Sequence, residues 1–255
     1  MLSDLGPYFV LEQGEAPQDR SWLTLAQTCA PSVLERHVEQ ARQRLSAQAP
    51  VGTTPSELRA VASTVSMGMF SRLLSPSIGA ALVGTLTLRP DPATTWLGAS
   101  DDGLSPLLTT VPLEEPDPQS ALTGLAIPLL EAFQAHFHIS DQVLYGNVAA
   151  SVVGACGVVT MMRPELVEAA ESLRGSLLSA PGLEGTGTIT GEFIRNSCCL
   201  IYQLPLDYIC SNCVLVAHET PTAQQRGEAM APVREQLSRQ TKPDFRKPPF
   251  RRSST

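Results

Sequence analysis

Four of the six cysteines in this chain stand in one short stretch, Arg195-Asn196-Ser197-Cys198-Cys199-Leu200-Ile201-Tyr202 through Cys210-Ser211-Asn212-Cys213, in the pattern C-C-x10-C-x2-C. A single buried cysteine behaves as a small apolar residue. Thiolates are soft ligands, however, and four at this density suit a metal site or a disulfide knot better than packing. Cys210-x2-Cys213 is the knuckle spacing in which a tight turn aims two sulfurs at one metal, and zinc and iron-sulfur sites both use it. The adjacent pair Cys198-Cys199 is less usual. Neighbouring side chains on a strand point to opposite faces, so both can ligate only where the backbone bends. A two-iron cluster eases that demand, because its ligands are divided between two irons. Structural zinc sites prefer C-x2-4-C in both halves, and the plant-type ferredoxin spacing C-x4-C-x2-C is absent.

These residues resemble a known family. Cys198-Cys199, the ten-residue gap, Cys210-x2-Cys213 and the framing Arg195-x-x-Cys-Cys-Leu-x-Tyr202 look like the C-terminal [2Fe-2S] signature of the FhuF-like ferric-siderophore reductases. Ser75-Pro76 with the small residues after it, and Leu144-Tyr145-Gly146-Asn147 followed by Ala and Ser, are similar to mid-chain segments of that family, so the resemblance spans residues 55 to 216 and is strongest at its end. The chain departs from the family pattern at Gln203, where a basic residue is common, and at Val214, where many members have proline. The resemblance implies a cytoplasmic ferric-siderophore reductase acting after import, peripherally associated with the inner face of a membrane. Cys198, Cys199, Cys210 and Cys213 would hold a [2Fe-2S] cluster that passes one electron to the Fe(III) of a hydroxamate-type siderophore. Fe(II) is held far less well by such hard oxygen donors, so reduction is release. Arg195, Ser197 and Tyr202 are candidates to donate hydrogen bonds to sulfur and raise the potential. Two other classes compete: an iron-sulfur sensor, and a zinc-stabilised interaction module. His218, five residues after Cys213, would serve a mixed Cys/His site.

Composition narrows the classes. With 43% hydrophobic residues, 17% charged residues and a net charge of −7, the 255-residue chain reads as soluble, acidic and globular, without a basic field to recruit nucleic acid. Met1 to Asp19 carries Asp4, Glu12, Glu15 and Asp19 and lacks the cationic start and apolar core of a secretory leader. The expectation is therefore a reducing cytoplasm, where clustered thiols favour metal over disulfides. Cys29 and Cys156, far away in sequence, read as ordinary buried thiols. His136 and His138 are two apart, do not face each other on a helix, and read as surface residues. No phosphate-binding or dinucleotide glycine fingerprint is present: Gly182-x-x-Gly185-x-Gly187 precedes a strand instead of opening a helix. A reductase of this kind needs a separate electron donor, such as a ferredoxin or a flavoprotein. Val143 to Met162 is uncharged and nearly bilayer length, but Gly146, Asn147, Ser151, Gly154 and Gly157 dilute it, and it reads as a buried core helix.

The elements that must position the cysteines are mostly helical. Residues 1 to 20 read as an irregular lead-in. Pro31 to Ala49 has an apolar stripe of Val33, Leu34, Val38, Ala41 and Leu45. Thr54-Pro55-Ser56-Glu57 reads as a capping box opening a helix with a buried stripe of Leu58, Val61, Val65, Met69 and Leu73, ended by Pro76. Pro76 to Leu88 suggests a buried helix followed by a strand. The proline- and glycine-rich residues 90 to 118 carry strands at Thr94 to Leu97 and Leu107 to Leu113. Gln119 to Phe137 is a helix that Pro128 must kink or divide. Ser140 caps the long apolar helix, and Pro164 to Ala180 forms another. Thr188 to Ile194 reads as a strand leading into the cysteines, and Val214 to Val216 as a short strand. Residues 222 to 239 form a polar helix, and Thr241 to Thr255 a disordered basic tail. Trp22 and Trp96 read as core aromatics that a ligand pocket would also use. The expected fold class is α+β, mainly helical with a small antiparallel sheet and a C-terminal cluster-binding subdomain near the surface. The parts are a body over 1–190, the [2Fe-2S] segment over 191–220, and the polar helix and tail over 221–255.

Overall fold

Two long helices, α3 (Leu58–Val83) and α6 (Asp141–Met162), lie against each other and form the axis of the fold. The computed structural model describes residues 1–19, 21–48, 57–98, 106–190, 192–204, 210 and 212–215, and Met1–Leu215 is one unit. Both helices bury many small residues, Ala60, Ala62, Ser63 and Ser66 on α3 and Gly146, Ala149 and Ser151 on α6, and hydrogen bonds from Asn147 to Ser63 and Ser66 and from Ser151 to Met67 join them. Small side chains let backbones approach closely, so the core here depends on proximity more than on large apolar groups. This corrects the expected stripe on α3: Leu58 is 45% exposed, and Val65 and Met69 are only half-buried. Glu57 is the N-cap residue of α3, with no side-chain cap bond. Thr54, Pro55 and Ser56 lie outside the described residues.

Pro76 does not end α3. The helix runs on to Val83 and stops at Gly84, whose φ of 70° is the left-handed conformation that closes helices. A mid-helix proline costs about 3 kcal/mol. Leu73, Leu74 and Ile78 around it are at most 1% exposed, and burying each contributes about 1.5–3 kcal/mol. Burial therefore outweighs the lost helical bond. Beyond Gly84 the expected strand is only a single bridge, Thr87 to Glu114.

The lead-in is more ordered than its sequence suggests. Turns of 3-10 helix at Leu2–Leu5 and Pro7–Phe9 bury Leu5 and Phe9, and β1 (Glu12–Gln13) follows. β2 (Trp22–Thr24) leads into the short α1 (Leu25–Thr28), opened by a capping box of Thr24 and Gln27, and then α2 (Pro31–Gln48), which buries Leu34 and Val38. With β3 (Thr95–Gly98) and β4 (Leu107–Thr109) the sheet order is β1-β4-β3-β2. Its β2–β3 and β3–β4 pairs are antiparallel, but β1 joins β4 in parallel, so the sheet is mixed instead of purely antiparallel. A two-residue strand has no pattern from which its direction can be read. Trp22 and Trp96 lie on this sheet, in β2 and β3.

Pro128 divides its helix. α4 (Pro118–Ala121) passes through a π turn at Leu122–Ala126 into α5 (Ile127–Phe137), and Pro128 falls in the first turn of α5, directly after the π turn, the kind of local widening found where the regular helical ladder is interrupted. α6 follows with Ser140 as N-cap residue, though without a side-chain cap bond. Among the described residues α6 is the one helix long and apolar enough to cross a membrane, and more than half of its most apolar window is buried inside the unit. A 3-10 turn at Pro164–Leu166 precedes α7 (Val167–Leu178). The expected single strand before the cysteines is a hairpin, β5 (Gly187–Thr190) paired antiparallel with β6 (Glu192–Arg195). In sequence, Gly191 interrupts the β-branched run, a signal for a break that the reading of one strand passed over. Val214 and Leu215 lie in a turn, not a strand. The polar helix at 222–239 and the basic tail lie outside the described residues.

Gly79 shows how the lead-in is seated. A Cβ there would lie 2.6 Å from the Phe9 ring and 3.0 Å from Leu2. Gly79→Ala gains ~1 kcal/mol of helix propensity but overpacks a closed contact at a cost of about 1–3 kcal/mol. The variant should unfold at lower urea than the parent, and a higher midpoint would mean that the lead-in does not hold this position.

Candidate metal centre

The hairpin delivers the cysteines. β6 ends at Arg195, whose backbone N–H donates to the carbonyl of Asn212 at 3.1 Å, so the second cysteine pair is tied to the strand that precedes the first. The N–H of Asn196 donates to Thr186 and its side-chain amide to Gly185, which anchors the exit of the strand on the preceding loop. The N–H of Cys213 donates to the carbonyl of Cys210 at 3.1 Å, the tight turn expected of C-x2-C.

The chain bends directly after Cys198-Cys199. Leu200, directly after the pair, has φ 67° and ψ 3°, the left-handed region, and a 3-10 turn at Ile201–Gln203 follows. A non-glycine residue there costs roughly 1–2 kcal/mol. The turn brings the N–H of Leu200 to 3.4 Å from Cys198 Sγ and leaves Cys199 Sγ 3.6 Å from Cys210 Sγ. Cys199, Cys210 and Cys213 are buried, while Cys198 is partly exposed, with Tyr202 and Leu215 each half open to solvent in the same stretch. Burial pushes the Cys198 thiol up, partly offset by the Leu200 N–H. Cys199 is drawn down to about 6, first by a hydrogen bond from Cys210 and then by the Ile201 N–H and Arg195, against the opposing effect of burial. Cys210 is pushed up by sharing its proton with Cys199 and by burial.

Arg195 is fully buried. Its Nη2 donates to Asn147 Oδ1 at 2.8 Å and to the Val143 carbonyl at 3.2 Å, while Nε and Nη1 have no partner among the described residues. Burial lowers its pKa, and the charges that oppose this are the four cysteine sulfurs, Cys199 first. An unpaired buried cation is strongly destabilising. The structure thus presents a guanidinium, with N–H groups unpaired among the described residues, to a set of soft sulfur donors. Gly146 makes the approach possible, since a Cβ there would lie 2.5 Å from Ser197 Oγ and 2.7 Å from Arg195 Nη2.

Of the other sequence candidates, Ser197 donates its hydroxyl to the Gln142 carbonyl at 2.6 Å, so that proton serves the start of α6. The Tyr202 hydroxyl accepts from Gln203 Nε2 at 3.1 Å. His136 stacks edge-on against Phe137, and His138 closes α5 in the left-handed conformation. His218 lies outside the described residues. Sequence reading missed Ser63 and Asn147. Asn147 donates to Ser63 and Ser66, and Ser63 Oγ donates to the Cys199 carbonyl at 2.8 Å. For Asn147 two signals exist, its place in the family-like segment Leu144-Tyr145-Gly146-Asn147 and its polarity in an otherwise apolar helix, but neither indicates what it contacts. A cleft of about 280 Å³, lined by Asp141, Tyr145, Glu184, Thr186, Asn196 and Ser197, opens beside this loop.

Residues 195–215 match the family model of the FhuF 2Fe-2S C-terminal domain. This domain implies a [2Fe-2S] cluster as cofactor. No curated protein matches the chain significantly. The residues fit the cluster in their chemistry: four thiols stand in the C-C-x10-C-x2-C order, and Nε and Nη1 of buried Arg195 have no acceptor among the described residues. Among the described residues no three His, Cys, Asp or Glu side chains are arranged to close on a single ion.

Two outcomes follow. A β-branched side chain tolerates the left-handed region poorly, so Leu200→Ile should lower iron bound per chain while Leu200→Gly should not; equal loading in both would remove Leu200 from the account. Burial raises the thiols of Cys29 and Cys156 to about 11. At pH 8 they should then be on the order of one part in a thousand thiolate, and alkylation of the native protein at these two positions should be slow and rise steeply with pH toward 11, read by mass spectrometry of the labelled peptides.

Proposed function

We propose that this protein is a ferric-siderophore reductase in which Cys198, Cys199, Cys210 and Cys213 hold the [2Fe-2S] cluster. The observation that carries the reading is the C-C-x10-C-x2-C segment itself, in which Cys199 meets Cys210 at 3.6 Å and the strand leading in ends on buried Arg195. When bound, the cluster supplies one-electron chemistry at a potential set by its charge, hydrogen bonds and exposure. One electron leaves a ferredoxin or flavoprotein donor, and one arrives on the Fe(III) of a hydroxamate chelate, which then releases Fe(II). The role of this chain is to hold the donor set at the surface. Cys198 is open to solvent, and the cleft beside the loop is small for a bulky chelate, so the chelate meets the loop from outside. The donor set and the family match favour this reading over a zinc module. The acidic composition without a basic face disfavours a DNA-binding iron-sulfur sensor. A cytoplasmic location, with peripheral attachment to the membrane that delivers the chelate, completes the proposal.

The test is anaerobic purification followed by visible absorption and EPR before and after dithionite, with iron, sulfide and zinc assayed on the same sample. The expected result is a red-brown protein with about two iron and two sulfide per chain, a one-electron EPR signal on reduction, and reoxidation by ferric hydroxamates. Each single Cys→Ser change at the four positions should bleach or shift the spectrum, and NAD(P)H alone should not reduce the protein. A colourless protein with stoichiometric zinc and no cluster after reconstitution would remove the reductase reading.

A further inference from the structure

Asn147 sits in the middle of α6 and is fully buried. Its orientation is set by chemistry. The NH2 end faces the Ser63 carbonyl at 3.0 Å, the Ser63 hydroxyl at 3.0 Å and the Ser66 hydroxyl at 3.2 Å. A carbonyl only accepts, so Nδ2 must point there, and Oδ1 must point the other way, toward the Nη2 donor of Arg195 at 2.8 Å. The same Ser63 that receives Asn147 donates to the Cys199 carbonyl at 2.8 Å, the peptide that precedes the left-handed Leu200. Ser66 closes the set by donating to the Ser63 carbonyl at 2.8 Å. One amide therefore links α3, α6, the guanidinium and the strained turn. With Nη2 occupied by Asn147 and Val143, the groups of Arg195 left over are Nε and Nη1.

We propose that Asn147 and Ser63 are positioning residues that fix the Arg195 guanidinium and the Cys199 turn against the cluster, so that the reduction potential is set from the α3–α6 interface. The inference rests on the reading that the four thiolates hold the [2Fe-2S] cluster. Reduction adds negative charge to an already anionic thiolate centre, and a fixed cation with N–H donors stabilises the reduced state more than the oxidised one. An arginine released from Asn147 loses that fixed geometry. Asn147 acts through Arg195 and not on sulfur, which gives the inference a signature that mere structural support lacks: its effect on the potential vanishes once Arg195 is gone.

The experiment is a double-mutant cycle on the purified full-length protein, with iron and sulfide assayed in every variant and midpoint potentials taken from dye-mediated titrations followed by absorption and EPR. Arg195→Gln and Asn147→Ala should each move the midpoint to more negative values, and the double variant should move it no further than Arg195→Gln alone. Ser151→Ala serves as control. It removes another buried hydroxyl of α6, one that bonds Met67 and the Asn147 carbonyl but not Arg195, and should leave the midpoint unchanged. An Asn147→Ala protein with full iron and an unaltered midpoint, additive shifts in the double variant, or an equal shift in Ser151→Ala would overturn the proposal. If Asn147→Ala does not take up iron, Ser63→Ala carries the test, because it deletes one hydroxyl and little volume. It should shift the midpoint in the same direction and lose iron faster to a chelator, and parent-like values for both would overturn the proposal. Absence of iron and sulfide from the parent protein after reconstitution would instead be failure of the underlying cluster reading, seen before any variant is compared.

Discussion

A buried positive charge must be answered. Arg195 is fully enclosed at the end of β6, two of its guanidinium nitrogens lack acceptors among the described residues, and the negative groups near it are the cysteine sulfurs. Leaving such a cation unpaired in a protein interior costs several kcal/mol, more than most single contacts return. Deprotonated sulfurs would answer that charge. Much of the neighbouring structure serves this pairing: Gly146 clears space for the guanidinium, Asn147 orients it, and the Arg195 backbone ties the two cysteine pairs together.

The second constraint is geometric. Adjacent cysteines diverge in an extended chain, and here a left-handed residue directly after the pair turns the chain. Leucine is poorly suited to that conformation, so the turn persists because other contacts hold it: the Ser63 hydroxyl on the Cys199 carbonyl, and the 3-10 turn that follows. Strain is thus concentrated at the site, and the helical body that opposes it consists of small, closely packed side chains along α3 and α6. The lowered pKa of Cys199 and the raised pKa of Cys210 express the same crowding, since two buried sulfurs in contact share one proton more readily than they hold two.

Several elements were legible in the sequence because their signals are local. The amphipathic α2, the division of the helix at Pro128, the strands at Thr95 and Leu107 and the long α6 all follow from periodicity, proline position or length. Misreadings share a different cause. Pro76 was taken as a helix end, yet burial of its neighbours overrides its local cost. Leu58, Val65 and Met69 fall on the core stripe by helical spacing, whereas the positions that α3 buries include Ala60, Ala62, Ser63 and Ser66. The N-terminal turns carry little pattern and are ordered by Phe9 meeting Gly79, a contact across some seventy residues.

The sequence by itself determined the donor chemistry: four thiols, their order, and the need for a bend between the first two, because ligand identity and spacing are covalent facts of one short segment. It also marked Arg195 as part of that segment. Only the tertiary structure decided what surrounds the donors. That Arg195 is buried with N–H groups unpaired among the described residues, that Ser197 spends its proton on α6, that Ser63 reaches the cysteine turn from 136 residues away and that Asn147 reaches Arg195 from 48 residues away are consequences of helices packing together. Such contacts leave no local signature, because a polar residue in an apolar helix looks the same in sequence whether it faces solvent, a lipid or a buried arginine.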